Sequence, residues 1–210
     1  MRIQYSEISN YIKDDNKLGE GKEASVYYYL DKVIKIFHTD RKTSIKRISD
    51  TGLIKLTELP LLCFNTPIDL IYDKDILVGY TEKYLEEKEN NFDNIDYDSI
   101  KQDLYTLSEN GFCIEDLFYN YIFTEDKLYF TDLTCYSYIK TDVEFLKIQN
   151  LKRNITTMNN FLIGLTLFDA FQKGMSNEYT KIYLANEYRL ENCSDMFYGD
   201  FIKKENKITK

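Results

Sequence analysis

The chain has 210 residues, a formal net charge of -8, 43% hydrophobic residues and 15% aromatic ones, among them 19 Tyr and 13 Phe. That is enough apolar material for one substantial, tyrosine-rich core or two small lobes sharing a cleft, and it argues against a disordered chain. A pI of about 4.9 argues against broad, sequence-independent binding to nucleic acid, which depends on Lys and Arg neutralising phosphates.

The N-terminal stretch MRIQYSEISNYIKDDNK has no continuous apolar run of the signal-peptide kind. No segment approaches the roughly 20 apolar residues of a membrane span, so a cytoplasmic protein without a membrane span is expected. Cys63, Cys113, Cys135 and Cys193 form no C-x-x-C pair and read as free thiols in a reducing compartment. His38 is the single histidine, which leaves little material for a zinc site or a histidine-based triad.

From Leu18 to Phe37 the sequence LGEGKEASVYYYLDKVIKIF predicts strand, glycine turn, strand, short reverse turn at LDK, strand, because SVYYYL and VIKIF are β-branched and aromatic. From about Arg41 to Leu59, Ile45, Ile48, Leu53, Leu56 and Leu59 recur near helical spacing, with Gly52 as a possible interruption. Pro60 and Pro67 punctuate a boundary, and PIDLIYD and ILVGYTEKYL then predict two strands joined at Asp73 to Asp75. The first part is thus expected to be a small antiparallel sheet with one main helix.

The acidic, asparagine-rich stretch from Glu86 to Asp98 is the expected seam. Beyond it SIKQDLYTLSENG has helical spacing with Gly111 as a stop, and YIFTEDKLYFTDL predicts two short strands around a turn. A helical second half follows from about Asp142, with NNFLIGLTLFDAF its most apolar element. The aromatic run DLFYNYIF reads as core packing and the basic end FIKKENKITK as a solvated tail.

Two features point to chemistry. A phosphate needs backbone N–H groups aimed at it and no side chain in the way, which glycines at a hairpin turn provide. Gly19 and Gly21 supply that, with Ala24 where a third glycine would sit. Val26 can cap an adenine ring, and Lys35 follows on the next strand, flanked by Val33, Ile34, Ile36 and Phe37.

LGEGKEASVY and VIK together resemble the Gly-rich loop and strand lysine of the protein-kinase-like superfamily, in a form similar to its minimal or atypical bacterial kinases. The resemblance spans roughly Leu18 to Tyr136. It implies an α+β, two-lobed fold, with residues 1–85 as a small antiparallel-sheet lobe ending in a hinge and 86–210 as a reduced helical lobe carrying the catalytic and metal-binding loops. It further implies an ATP- and Mg-dependent phosphotransferase acting on a hydroxyl acceptor, a protein Ser or Thr rather than a small molecule.

Such an enzyme needs a carboxylate near the acceptor, a polar metal-holding residue shortly after it and a further carboxylate for the metal that bridges the phosphates. Within GFCIEDLFYNYIFTEDKLYFTDLTCY the resemblance gives these roles to Asp116, Asn120 and Asp132, with Lys35 on the nucleotide phosphates.

Departures from the family pattern qualify it. His-Arg-Asp appears as Ile114-Glu115-Asp116, and Asp-Phe-Gly as Asp132-Leu133-Thr134. The step from Asp116 to Asn120 is one residue short of the usual five, so a shortened loop, Glu115 as the acid, or Tyr121 in place of the amide are alternatives. For the partner of Lys35 the first-lobe helix offers Glu58, with Asp50 as an alternative. The hinge falls near Glu82, Tyr84 and Leu85, where main-chain groups would bind adenine, and Ile122 or Phe130 would add a ring contact. A pseudokinase, a nucleotide-binding or scaffolding module without transfer, is the alternative function.

Overall fold

The computed structural model describes residues 2–38 and 48–172. The start of the helix expected from Arg41, Cys193 and the basic C-terminal stretch lie outside them. The described elements are β1 (Arg2–Gln4), α1 (Tyr5–Ile8), β2 (Lys17–Glu20), β3 (Ala24–Tyr29), β4 (Lys32–Phe37), α2 (Asp50–Leu56), β5 (Asp69–Asp73) and β6 (Ile76–Lys83). They continue with α3 (Tyr97–Glu109), β7 (Phe112–Cys113), β8 (Tyr121–Phe123), β9 (Leu128–Phe130), β10 (Ser137–Tyr138) and α4 (Glu144–Gln172). The protein is therefore α+β, with one mixed six-stranded sheet in the order β1-β5-β6-β4-β3-β2.

The chain forms two compact units, one of residues 1–103 with 120–138, the other of 104–119 with the residues from 139 on. The β8–β9 hairpin thus groups with the sheet, whereas a division at 85/86 assigns it to the helical part.

In the first unit, β2 to β6 are antiparallel neighbours, as their turn chemistry dictates. The β3–β4 and β5–β6 hairpins turn through Leu30 and Lys74, both with left-handed backbone (φ 56° and 57°). Strand β1 was not expected from the sequence. It pairs in parallel with β5, buries Ile3, and holds the Arg2 guanidinium 4.2 Å from the centre of the Tyr72 ring.

Cross-strand register then sorts the side chains, because residues opposite one another point to the same face. Ile34 and Ile71 belong to a buried cluster closed by Ile3 and Ile8, with Tyr5 and Ile12 packed against it, so the N-terminal dozen residues cover that face. On the same side Lys32 pairs with Asp69 at 2.9 Å, and the Thr81 hydroxyl donates to the same carboxylate. Burial pushes Asp69 up, but hydrogen bonds from Lys32 and Thr81 outweigh it and hold the carboxyl below its ordinary range.

The hairpin of β8 and β9 is docked by hydrogen bonds from the segment before β5. The Phe130 amide donates to the Cys63 carbonyl, and the Asn65 amide donates to Phe130. Asp103, fully buried, fixes that segment in turn by accepting from the amides of Leu62 and Cys63 at 2.9 and 2.6 Å. Burial, then the Asp103 charge, pushes the Cys63 thiol up to about 12, so it is chemically inert near neutral pH.

Helix α2 is shorter than the pattern predicts: it begins at an Ser49 cap, whose hydroxyl accepts from Gly52, and ends at Leu56. Glu58 lies beyond it.

In the second unit, α4 buries Ile148, Leu151, Met158, Phe161, Leu162 and Leu165, a helical stripe interrupted by the fully buried Asn154. That amide is satisfied throughout: its oxygen accepts from Ile114, and its nitrogen donates to the Ser108 hydroxyl and the Phe112 carbonyl. Gly111 ends the preceding helix with φ 85°, as its sequence position predicts.

Candidate functional site

The sheet face opposite the N-terminal cover carries the residues of interest. Register aligns Val26, Lys35 and Tyr80 across β3, β4 and β6, and Tyr28, Val33 and Glu82 in the next row. Lys35 is consequently a buried cation (9% exposed) in a row of apolar and aromatic neighbours. An unpaired ammonium there would be costly, since desolvation favours its neutral form.

It is paired twice. Its Nζ lies 2.9 Å from Oε1 of Glu82, itself 4% exposed, and 3.6 Å from Oδ1 of Asp132. Burial acts to lower the Lys35 pKa, yet Glu82, then Tyr80 and Asp132, outweigh it, so the ammonium is held well above its ordinary value. Glu82 is pushed up, because burial exceeds the pull of Lys35 and Asp132 adds a repulsion. The asymmetry is physical: the lysine faces two carboxylates, Glu82 only one ammonium.

Asp132 reaches this cluster through the hairpin. The Thr131 amide donates to the Asn120 carbonyl just past the last ladder pair, Tyr121 with Phe130. Asn120 and Asp132 therefore flank the open end of β8–β9. Asp132 has left-handed backbone (φ 55°), accepts from the Thr134 hydroxyl at 2.9 Å, and keeps its side chain 46% exposed. The Asn120 amide approaches the Cys135 sulfur at 3.9 Å. Asn65 also bridges the hairpin and the sheet, because its side-chain amide donates to the Lys83 carbonyl.

Gly19 lies within β2, paired with Val26, and Gly21 follows that strand, its amide donating to the Ala24 carbonyl at 2.9 Å. A Cβ on Gly19 would meet nothing within 4 Å, one on Gly21 would make only an ordinary contact with Ala24, and neither has positive φ. Local packing thus does not require glycine at either position. The imidazole of His38 sits 3.1 Å from the Gly21 carbonyl. Ala24 pairs with Phe37 in the same sheet.

Several expectations meet a different arrangement. Glu58 does not pair with Lys35: it lies outside α2 and forms an ion pair with Lys55 at 3.0 Å. The side chain that does pair with Lys35 is that of Glu82, which the hinge reading involved only through its main chain. Hinge groups are also engaged, since the Tyr84 amide donates to the Asp31 carbonyl at 3.0 Å and the Lys83 carbonyl accepts from Asn65. Phe130 is fully buried against Phe64, which makes it a core residue rather than a ring contact.

Asp116 belongs to the second unit, with φ 49°, and Tyr119 nearby has φ 71°. Glu115 is held by Arg153 at 3.0 Å. Asn65, Asp103 and Asn154, each holding buried backbone or side-chain groups, were not anticipated; Asn65 follows the apolar run LLCF, but Asp103 and Asn154 follow polar residues (KQ and KR), so only their place on the buried side of a helix could have marked them.

No protein-family model and no curated protein matches the chain. Among solved structures the chain is similar to a Legionella pneumophila protein described as the Lpg2603 kinase bound to IP6, at 21% identity and a TM-score of 0.38. The match covers 66% of this chain and 56% of the Legionella chain. Among the described residues no helix is long and apolar enough to cross a membrane.

Proposed function

We propose that the protein is an ATP- and Mg-dependent phosphotransferase of protein-kinase-like fold, transferring the γ-phosphate to a hydroxyl acceptor, a protein Ser or Thr in preference to a small molecule. The observation that carries this reading is the approach of Lys35 Nζ to Asp132 Oδ1 at 3.6 Å, on a sheet where Gly19, a glycine that local packing does not require, is in register with Val26 and Lys35. A lysine and a half-exposed carboxylate brought together from distant parts of the chain are what a nucleotide triphosphate with its cation calls for.

Among the described residues no three His, Cys, Asp or Glu side chains gather as a metal cage. Magnesium does not need one, because it is commonly held by one or two carboxylates together with substrate phosphates and waters. The Asp132 carboxylate and the Asn120 amide at the hairpin end fit that donor set. When bound, the ion would neutralise charge on the phosphates. Lys35 would hold phosphate oxygens, Gly19 and Gly21 would let main-chain amides approach them, and Val26 and Ala24 would offer apolar contact to the adenine. The role of Asp116 as the carboxylate that orients the acceptor rests on the sequence resemblance.

A pseudokinase is the second reading, favoured by the engaged hinge groups at Lys83 and Tyr84. Thermal stabilisation by ATP, with and without Mg, combined with γ-phosphate release or transfer to mixed protein and small-molecule acceptors separates the two. The enzyme reading expects Mg-dependent stabilisation and transfer, the stabilisation weakened and the transfer lost in Lys35→Met, and the transfer lost in Asp132→Asn. Stabilisation without turnover supports the scaffold, and absence of any nucleotide binding overturns both.

A further inference from the structure

Lys35 has two acidic neighbours that differ in kind. Glu82 lies on β6, two residues along from Tyr80, the direct cross-strand partner of Lys35, so strand register alone brings it to the same face. Its contact is the shorter one, 2.9 against 3.6 Å, and its side chain is 5% exposed against 46% for Asp132. Glu82 sits within a regular strand whose neighbours on both sides are paired, whereas Asp132 sits on a left-handed turn after a three-residue strand. The helix that follows β4 contributes no described ion pair to Lys35, and Glu58 is engaged with Lys55.

We infer that Glu82 is the fixed partner that orients Lys35, with Asp132 the exchangeable one, so that Glu82 is a positioning residue for nucleotide binding supplied by the sheet itself. The inference rests on the nucleotide-binding reading above. Two formal negative charges against one positive leave the cluster at -1 without ligand, and Asp132 can turn toward a cation-bearing nucleotide without leaving the buried ammonium unpaired. Were Glu82 neutral, Lys35 would be drawn to Asp132 alone, and each would be less available to the ligand.

The test is a double-mutant cycle on the intact chain, with Mg-ATP affinity measured by calorimetry for wild type, Glu82→Gln, Lys35→Met and the double variant. We expect Glu82→Gln to weaken Mg-ATP binding about tenfold or more in the wild-type background and less than about twofold once Lys35 is Met, because Glu82 acts through Lys35. Glu82→Asp, which keeps the charge on a shorter arm, is expected to recover part of the loss, and it carries the test if the Gln variant does not fold. Equal losses in both backgrounds, or unchanged affinity in folded Glu82→Gln or Glu82→Asp, would overturn the assignment while leaving the nucleotide reading intact. A wild-type protein that does not bind Mg-ATP would overturn the reading itself.

Discussion

Lys35 concentrates the physical tension of the molecule, a buried ammonium kept charged by two carboxylates of unequal burial. Removing one member of a buried ion pair typically costs about 3–5 kcal/mol, because the other is left without compensation. Lys35→Met should therefore destabilise the fold as well as weaken nucleotide binding. Its pH dependence follows from Glu82, whose pKa burial already pushes up and which then loses the opposing pull of Lys35. A carboxyl with a folded-state pKa above its unfolded value weakens the fold as pH rises through that interval. The stability gap between wild type and Lys35→Met should accordingly widen from acid toward neutral pH. Urea unfolding at a series of pH values measures it, and a gap independent of pH would show that Glu82 does not titrate as an orphan.

The strands are where sequence and structure agree best, for an identifiable reason. VYYY and VIKIF have the composition of half-buried strands, and Leu30, Asp31 and Lys74 lie at hairpin turns, so short-range chemistry specifies β3 to β6. Strand β1 escaped notice because three residues carry almost no pattern, and its partner lies far along the chain in β5. The choice of Glu58 failed similarly: it relied on a helix extending to Leu59, while the effective carboxylate depended on cross-strand register, which no local pattern reports. Lys35 stands out locally, as a cation in an apolar strand, whereas Asp132 is named only through the family resemblance, and their approach at 3.6 Å depends on packing that no local pattern reports. Gly79 belongs to this scale too. A Cβ there would drive into the Lys35 carbonyl oxygen and crowd Ile36. Gly79→Ala should cost at least about 1–3 kcal/mol, as overpacking between strands does, and because the strain falls on the backbone of Lys35 it should weaken nucleotide binding too. A thermal melt and an ATP titration on the same sample test this, and an unshifted Tm would refute it.

At the scale of the whole molecule, the first unit is assembled from two separate stretches, 1–103 and 120–138. The sequence suggested a single cut near the acidic stretch at 86–98, because composition changes there, but composition does not report which strands dock on one another. Cys63 and Asn65 hydrogen-bond to Phe130, so the β8–β9 hairpin completes the unit that holds Lys35. A fragment ending at Asp103 should consequently unfold at lower denaturant concentration than the intact chain and with a shallower slope, since less surface is buried. Matching transitions for fragment and full chain would show that the hairpin contributes nothing to the sheet.

The order of those stretches matters on the ribosome. Glu82 emerges 50 residues before Asp132, on the strand that hydrogen-bonds to the one bearing Lys35. A nascent polypeptide can thus balance its sequestered cation as soon as the β4–β6 ladder closes, and its aspartate arrives to a sheet whose charge is already provided for.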